Sequence, residues 1–189
     1  MIFSTPTLVH LVIFLVGSTG LVYLSRHALA DPHQHGFPRF FAFEAILGLV
    51  VLNVGEWLVN PLSFVQLISW VLLIISAVLV ISAVIALRQF GKADTTMDDP
   101  NRLAFEKTTQ LVNQGPYRYI RHPMYASLLF LAWGVFLKDI TILTFCLVGI
   151  TTAMLYLTAV LEEVENRAYF GDRYKKYMRQ TKRFIPFLF

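Results

Sequence analysis

The sequence predicts an all-α membrane protein, a polytopic bundle of five transmembrane helices with a short cytoplasmic helical tail. Three observations predict it. Hydrophobic residues make up 56% of the 189-residue chain and charged residues only 15%, where soluble domains carry about 25% charged. The mean hydropathy is +0.59. The apolar residues fall in long continuous runs rather than the short alternations of a transmembrane barrel. Ten Gly and eight Pro are too few for a fibrous or disordered chain, and the one cysteine, Cys146, excludes an internal disulfide and any multi-thiolate metal site.

Each run has its own character. Residues 7–25 form the first, with no positive segment before it and no Ala-x-Ala after it, so it reads as a span and not as a cleaved leader. Residues 40–60 form the second and contain Glu44 and Glu56. Residues 62–87 form the third, without a charge. The fourth, residues 124–137, holds 14 residues, about 21 Å of helix against a hydrocarbon core of about 30 Å. It must extend backwards, cross a thinned region, or sit partly inside the bundle. Residues 140–161 form the fifth, again uncharged. Asn60-Pro61 and Lys138-Asp139 are short links that force antiparallel neighbours.

Charge placement orients the bundle. With the N-terminus outside, the inner regions are residues 26–39, residues 88–123 and the tail from Glu162. They hold every one of the sixteen basic residues except Lys138. The positive-inside rule therefore puts the C-terminus in the cytoplasm. It also accounts for the net charge of +4 without nucleic acid. A bacterial source would make this a cell inner membrane protein. The chain reads as one domain over 1–189, a three-span part over 1–87 joined to a catalytic and cofactor-binding core over 109–189.

Several polar residues need a reason to be there. Asn53, Glu56 and Asn60 would share one face of a continuous helix, either as an interhelical hydrogen-bond seam or as the polar wall of a cavity. Glu44 lies nearer the cytoplasmic end, and His10 reads as a packing histidine. The segment Gly115-Pro116-Tyr117-Arg118-Tyr119-Ile120-Arg121-His122-Pro123-Met124-Tyr125 is the densest in functional groups. Gly-Pro makes a turn, and Pro123 fits the first turn of the next helix. Two readings stand: an interfacial belt of Arg and Tyr at the headgroups, or a site in which Arg grips an oxyanion and His122 exchanges a proton.

The tail opens with Glu162-Glu163-Val164-Glu165. Glu162, Asn166 and Tyr169 share a helical face, and Glu163 with Arg167 is a favourable i, i+4 pair. Gly171-Asp172 reads as a break, with Asp172 capping a second short helix. Phe170, Tyr174, Tyr177, Thr181 and Phe184 then form a stripe that either lies in the membrane plane or covers the bundle as a lid. The stretch 92–100, with three acids and Pro100, is turn-rich and matches no acceptor-reading motif. One His beside carboxylates gives no metal site. Glycine-rich dinucleotide, phosphate-loop and nucleophile-elbow motifs are absent from the sequence.

The block from Gly115 to Tyr125 resembles the signature of the isoprenylcysteine carboxyl methyltransferase family. So does the tail, with Glu162-Glu163, Phe170-Gly171, Tyr174, Tyr177 and Pro186. The likeness covers residues 109–186 and leaves the first three spans with hydropathy alone. It implies an S-adenosylmethionine-dependent methyltransferase that releases S-adenosylhomocysteine. By motif position it implies cofactor binding by His122, Tyr125, Glu162, Glu163, Tyr117 and Tyr174, and catalytic roles for Arg121 and Glu163. The implied acceptor is membrane-embedded or apolar: a prenylcysteine-like carboxylate, a lipid amine or a thiol. The competing classes are a transporter or channel working through Glu44 and Glu56, and a non-catalytic membrane structural protein.

Overall fold

A computed structural model describes residues 8–91 and 110–186. Among these the chain is helical, without strands: α1 (Leu8–Ser25), α2 (Gly36–Asn53), α3 (Phe64–Phe90), α4 (Pro123–Phe136), α5 (Ile142–Phe170) and α6 (Asp172–Gln180). Four of them, α1, α2 with a 3-10 extension to Glu56, α3 and α5, are long and apolar enough to cross a bilayer. This is the expected all-α membrane bundle of five apolar helices with a short helical tail.

Local chemistry sets the helix ends. Ser63 caps α3 by accepting from the Gln66 amide. Thr141 and Thr144 form a reciprocal capping box at the start of α5. Pro123 opens α4, where its missing N–H costs nothing. Gly171, at φ 60, ends α5 in a backbone conformation that side chains with a Cβ rarely adopt.

One expectation is corrected at the end of α2. The helix stops at Asn53 and continues only as a 3-10 turn over Val54–Glu56, and Asn60 takes a positive φ of 46. Asn53, Glu56 and Asn60 therefore do not share a helical face. The Asn53 amide donates to Leu49 O in its own helix at 2.9 Å. Glu44 accepts from Ser18 Oγ of α1 at 3.0 Å.

The short α4 begins at Pro123 and does not extend backwards. It sits inside the bundle, against α2, α3 and α5. Its seam with α3 is polar and tight. Ser69 Oγ donates to Gly134 O at 2.6 Å, Ser76 Oγ to Ser127 O at 2.7 Å, and Gln66 Nε2 to Lys138 O at 3.0 Å. Such hydroxyl-to-carbonyl bonds hold helices together where lipid supplies no hydrophobic drive. α2 packs on α5, whereas α1 touches chiefly α2 and buries none of its residues.

Lys138, the one basic residue expected outside, is not displayed there. Its Nζ lies 3.5 Å from the centroid of the Trp70 ring and 5.6 Å from that of Trp57. Burial lowers its pKa from the usual lysine value. The opposite end of the bundle is cross-linked as well. His35, buried before α2, donates its backbone N–H to Glu165 Oε1 at 3.1 Å and sets its ring Nδ1 2.6 Å from Oε2.

Gly134 is the point of closest approach in the α3–α4 seam. A Cβ there would lie 2.9 Å from Leu73 and 3.3 Å from Ser69 O. Gly134→Ala is expected to cost about 1–3 kcal/mol by overpacking and to lower the thermal midpoint in detergent. An unchanged midpoint would show that the seam yields without cost.

Candidate active site

The Gly115–Tyr125 block folds as three short pieces. Gly115, at φ 58, leads into a 3-10 turn over Gly115–Arg118 with Pro116 in its first turn. The next residues run extended beside the tail. Arg121 N donates to Lys182 O at 2.8 Å, His122 N to Arg183 O at 3.1 Å, and Lys182 N to Tyr119 O at 3.1 Å. This short parallel pairing, centred on Ile120 and Lys182, carries the tail back across the start of α4. Because the block is not one helix, Arg118 and Arg121 do not share a face with Tyr125.

α5 supplies the opposite wall. Its 29 residues span about 43 Å, well beyond a hydrocarbon core of about 30 Å. The last turns, with Glu162, Glu163 and Asn166, therefore stand at or past the membrane edge. α6 turns back at Gly171 and lays Tyr174 and Tyr177 inward, both buried. Thr181 and Phe184 are buried too. The aromatic stripe thus faces the bundle rather than lipid. Tyr177 Oη fixes it by donating to Tyr117 O at 2.7 Å. Burial pushes the Tyr174 and Tyr177 phenols well above the usual tyrosine value, so both stay protonated.

Between these walls lies a small pocket of about 90 Å³. Six expected site residues line it: Tyr117, Arg121, His122, Tyr125, Glu162 and Tyr174. The His122 ring stacks on Tyr125 at 5.5 Å, and its Nδ1 lies 3.8 Å from Glu162 Oε2. Asn166 Nδ2 is 3.5 Å from Glu162 Oε1. Phe170 stacks on Tyr174 at 6.4 Å.

Glu163, the seventh, does not line the pocket; it sits behind Arg121. Its buried carboxylate is 3% exposed by residue. Oε1 accepts from Arg121 Nε at 2.8 Å and from Arg183 Nε at 3.1 Å, and Oε2 from Arg183 Nη2 at 2.8 Å. His122 Nε2 comes within 3.4 Å of Oε1. The local pair expected with Arg167 does not form, because Arg167 Nε donates instead to the backbone carbonyl of Glu163. Asp172 is likewise no cap: Gly171 holds that position, and Asp172 pairs with Lys175 at 2.8 Å.

Sequence reading missed Arg183. It lies past α6 in an extended segment, where no periodicity marks it. Its guanidinium also covers Tyr156 at 5.0 Å from the ring centroid. Arg121 completes the lock, donating through Nη1 to Met178 O at 3.3 Å and to Thr181 O. Among the described residues no group of His, Cys, Asp and Glu could hold a metal ion. The acid-rich stretch 92–100 falls outside the described residues.

A profile of the phospholipid methyltransferase family matches residues 64–173. The chain belongs to that family. The methyltransferase likeness read from the two motif blocks is thus borne out at family level, and the apolar helices fit a multi-pass membrane protein. A methanethiol S-methyltransferase from Crocosphaera subtropica is 32% identical over 72 residues, 38% of this chain. That stretch is 28% of the relative's length. No solved structure matches the chain. The matched family region takes in α3, whose Leu87 lines the pocket.

Glu163 is the residue whose loss this site tolerates least. Removing one partner of a buried ion pair costs about 3–5 kcal/mol, because the remaining charges are stranded. Glu163→Ala is expected to unfold the end of the bundle where α5 meets α6, and Glu163→Gln to keep helical circular dichroism but lower the thermal midpoint in detergent. A Glu163→Ala variant as stable and active as wild type would show that the network is dispensable.

Proposed function

We propose that the protein transfers a methyl group from S-adenosylmethionine, bound at the cytoplasmic face, to an apolar acceptor delivered from the membrane. One juxtaposition carries this reading. The polar pocket is separated by the Phe184 ring and the Glu163 ion network from an apolar groove of about 870 Å³ along α4 and α5, lined by Ala126, Phe130, Trp133, Gly149, Ala153 and Tyr156. Phe184 itself lines the groove and lies 6.2 Å from the His122 ring.

The pocket fits the donor's chemistry. Glu162 places a carboxylate, and Tyr125, Phe170 and Tyr174 place aromatic faces, where a sulfonium needs electron-rich neighbours. When bound, S-adenosylmethionine supplies a methyl group that leaves to a nucleophile while the carbon–sulfur electron pair returns to sulfur, giving S-adenosylhomocysteine. The protein's task is alignment of acceptor, carbon and sulfur, the source of much of the rate effect. Tyr117, Tyr174 and Tyr177 close the donor side and exclude water. Arg121 fixes the tail over the pocket. Glu163 is occupied by two guanidinium groups and makes a poor base. For a thiol or amine acceptor, His122, which lines the pocket beside Glu162, is the group that would take the proton. The C-terminus is cytoplasmic in this reading, and the core over 109–189 carries the chemistry on the support of α3.

A transporter working through Glu44 and Glu56 has less support. The two glutamates are twelve positions apart in sequence, about 18 Å along a helix, and Glu44 is occupied by Ser18.

Calorimetric titration of S-adenosylhomocysteine into nanodisc-held protein tests the donor assignment. Saturable binding at one site is expected, weakened at least about tenfold by Glu162→Gln, as expected for loss of a carboxylate in a partly buried site. A folded wild type that binds neither S-adenosylhomocysteine nor S-adenosylmethionine would sink the proposal.

A further inference from the structure

The helix that closes the pocket has two unlike faces. α6 turns Tyr174 and Tyr177 inward, where both are buried. On its far side Lys175, Lys176 and Arg179 are exposed, and Arg173 and Lys182 are exposed at its flanks. Helical spacing makes that division, because positions 174 and 177 fall together and 175, 176 and 179 fall opposite them. Lys175 and Arg179 stand at i, i+4, a spacing at which like charges destabilise a helix. Among the described residues the acidic side chain paired with this face is Asp172, which meets Lys175 at 2.8 Å. The proposed methyl transfer uses none of these cations.

The fold also fixes how far they stand from lipid. From Glu162, where the uncharged part of α5 ends, to Phe170 the helix rises about 12 Å. There the chain reverses at Gly171, and α6 descends. Just past its end Lys182 pairs with Ile120, beside the start of α4. Phe184 and Ile185 then line the groove between α4 and α5, and Ile185 is exposed. Within a few residues the chain passes from the basic helix to a lipid-facing surface. α6 therefore lies within about 12 Å of the hydrocarbon edge, in the headgroup layer and the Debye length of about 8–10 Å beyond it.

We propose that the outer face of α6 is a docking surface for acidic phospholipid headgroups, seated on Lys175, Lys176 and Arg179, and that this contact holds α6 against the pocket. Headgroup phosphates fit because they lie in the layer along which the helix runs and supply the negative charge its outer face lacks. One short helix carries both faces, so lipid on one side and donor on the other favour the same seated position. Each then strengthens the binding of the other. The lipid contact stands alone; its effect on the donor rests on the methyltransferase reading.

The test compares nanodiscs of phosphatidylcholine with discs that also hold about 30% phosphatidylglycerol, enough to give a negative surface potential. In ligand-free wild type, hydrogen exchange of the α6 amides is expected to slow at least about threefold in the acidic discs. High salt should remove that gain by screening. The affinity for S-adenosylhomocysteine should rise at least about threefold in the same discs. That ligand has no net charge, so the acidic surface does not concentrate it directly. A triple variant, Lys175→Gln with Lys176→Gln and Arg179→Gln, should lose both responses while keeping its thermal midpoint. The charge-keeping set Lys175→Arg, Lys176→Arg and Arg179→Lys should retain them. So should Arg26→Gln, which removes an exposed cation after α1. Equal α6 exchange in the two kinds of disc would overturn the inference, and so would a lipid response that survives the triple glutamine variant. Protection by soluble polyglutamate but not by acidic lipid would mark an acidic protein as the partner and equally sink it. Lipid-dependent exchange in a protein that binds no S-adenosylhomocysteine in any disc would support the docking surface and count against the donor assignment.

Discussion

A carboxylate buried at the end of a long apolar helix must be neutralised, and much of that end of the bundle is arranged around the requirement. Glu163 draws Arg121 from the start of α4 and Arg183 from the segment after α6. Arg121 in turn holds the end of α6 through backbone carbonyls. The side-chain network and the backbone pairing at Ile120 and Lys182 reinforce each other. The first places charges, the second sets the register, and a slip of one residue would spoil both. His35 and Glu165 tie α2 to the same stretch of α5. Several distant segments thus converge on one projecting helix end.

The bundle supports that end through a division of labour. The α3–α4 seam is hydroxyl-bonded and close-packed, which fixes the short α4 despite its length. On its other side α4 leaves a groove against α5, open to lipid. A short helix held firmly from one side can leave space on the other. That is how a membrane protein can offer a cleft for an apolar molecule without giving up its packing.

Much of this was legible in the sequence. The five apolar helices followed from run length and charge, and the break at Gly171 from a glycine after the last periodic residue. Tyr117, Arg121, His122 and Tyr125 were visible as one dense block, and Glu162 as its partner across a helical hairpin. The failures share a cause. The expected Glu163–Arg167 pair, the cap at Asp172 and the shared face of Asn53, Glu56 and Asn60 were all local inferences. In each case a tertiary partner or a broken helix prevailed. Arg183 escaped notice because its importance comes from a strand-like pairing with a distant part of the chain, Arg183 O with His122 N. Helical periodicity cannot register such a contact. The inward turn of the aromatic stripe was similarly undecided until its hydrogen bond to Tyr117 was seen.

α1 stands apart from this architecture. It buries no residue and leans chiefly on α2, with Gly17 beside Leu47 and Ser18 on Glu44. Nothing on α1 reaches the pocket or the groove along α4 and α5. Selection for catalysis therefore has little purchase on it. Its composition is free to drift among apolar residues so long as it inserts and keeps that narrow seam. Homologous enzymes are expected to diverge fastest there, and a lineage could exchange the helix for another without rebuilding the chemistry.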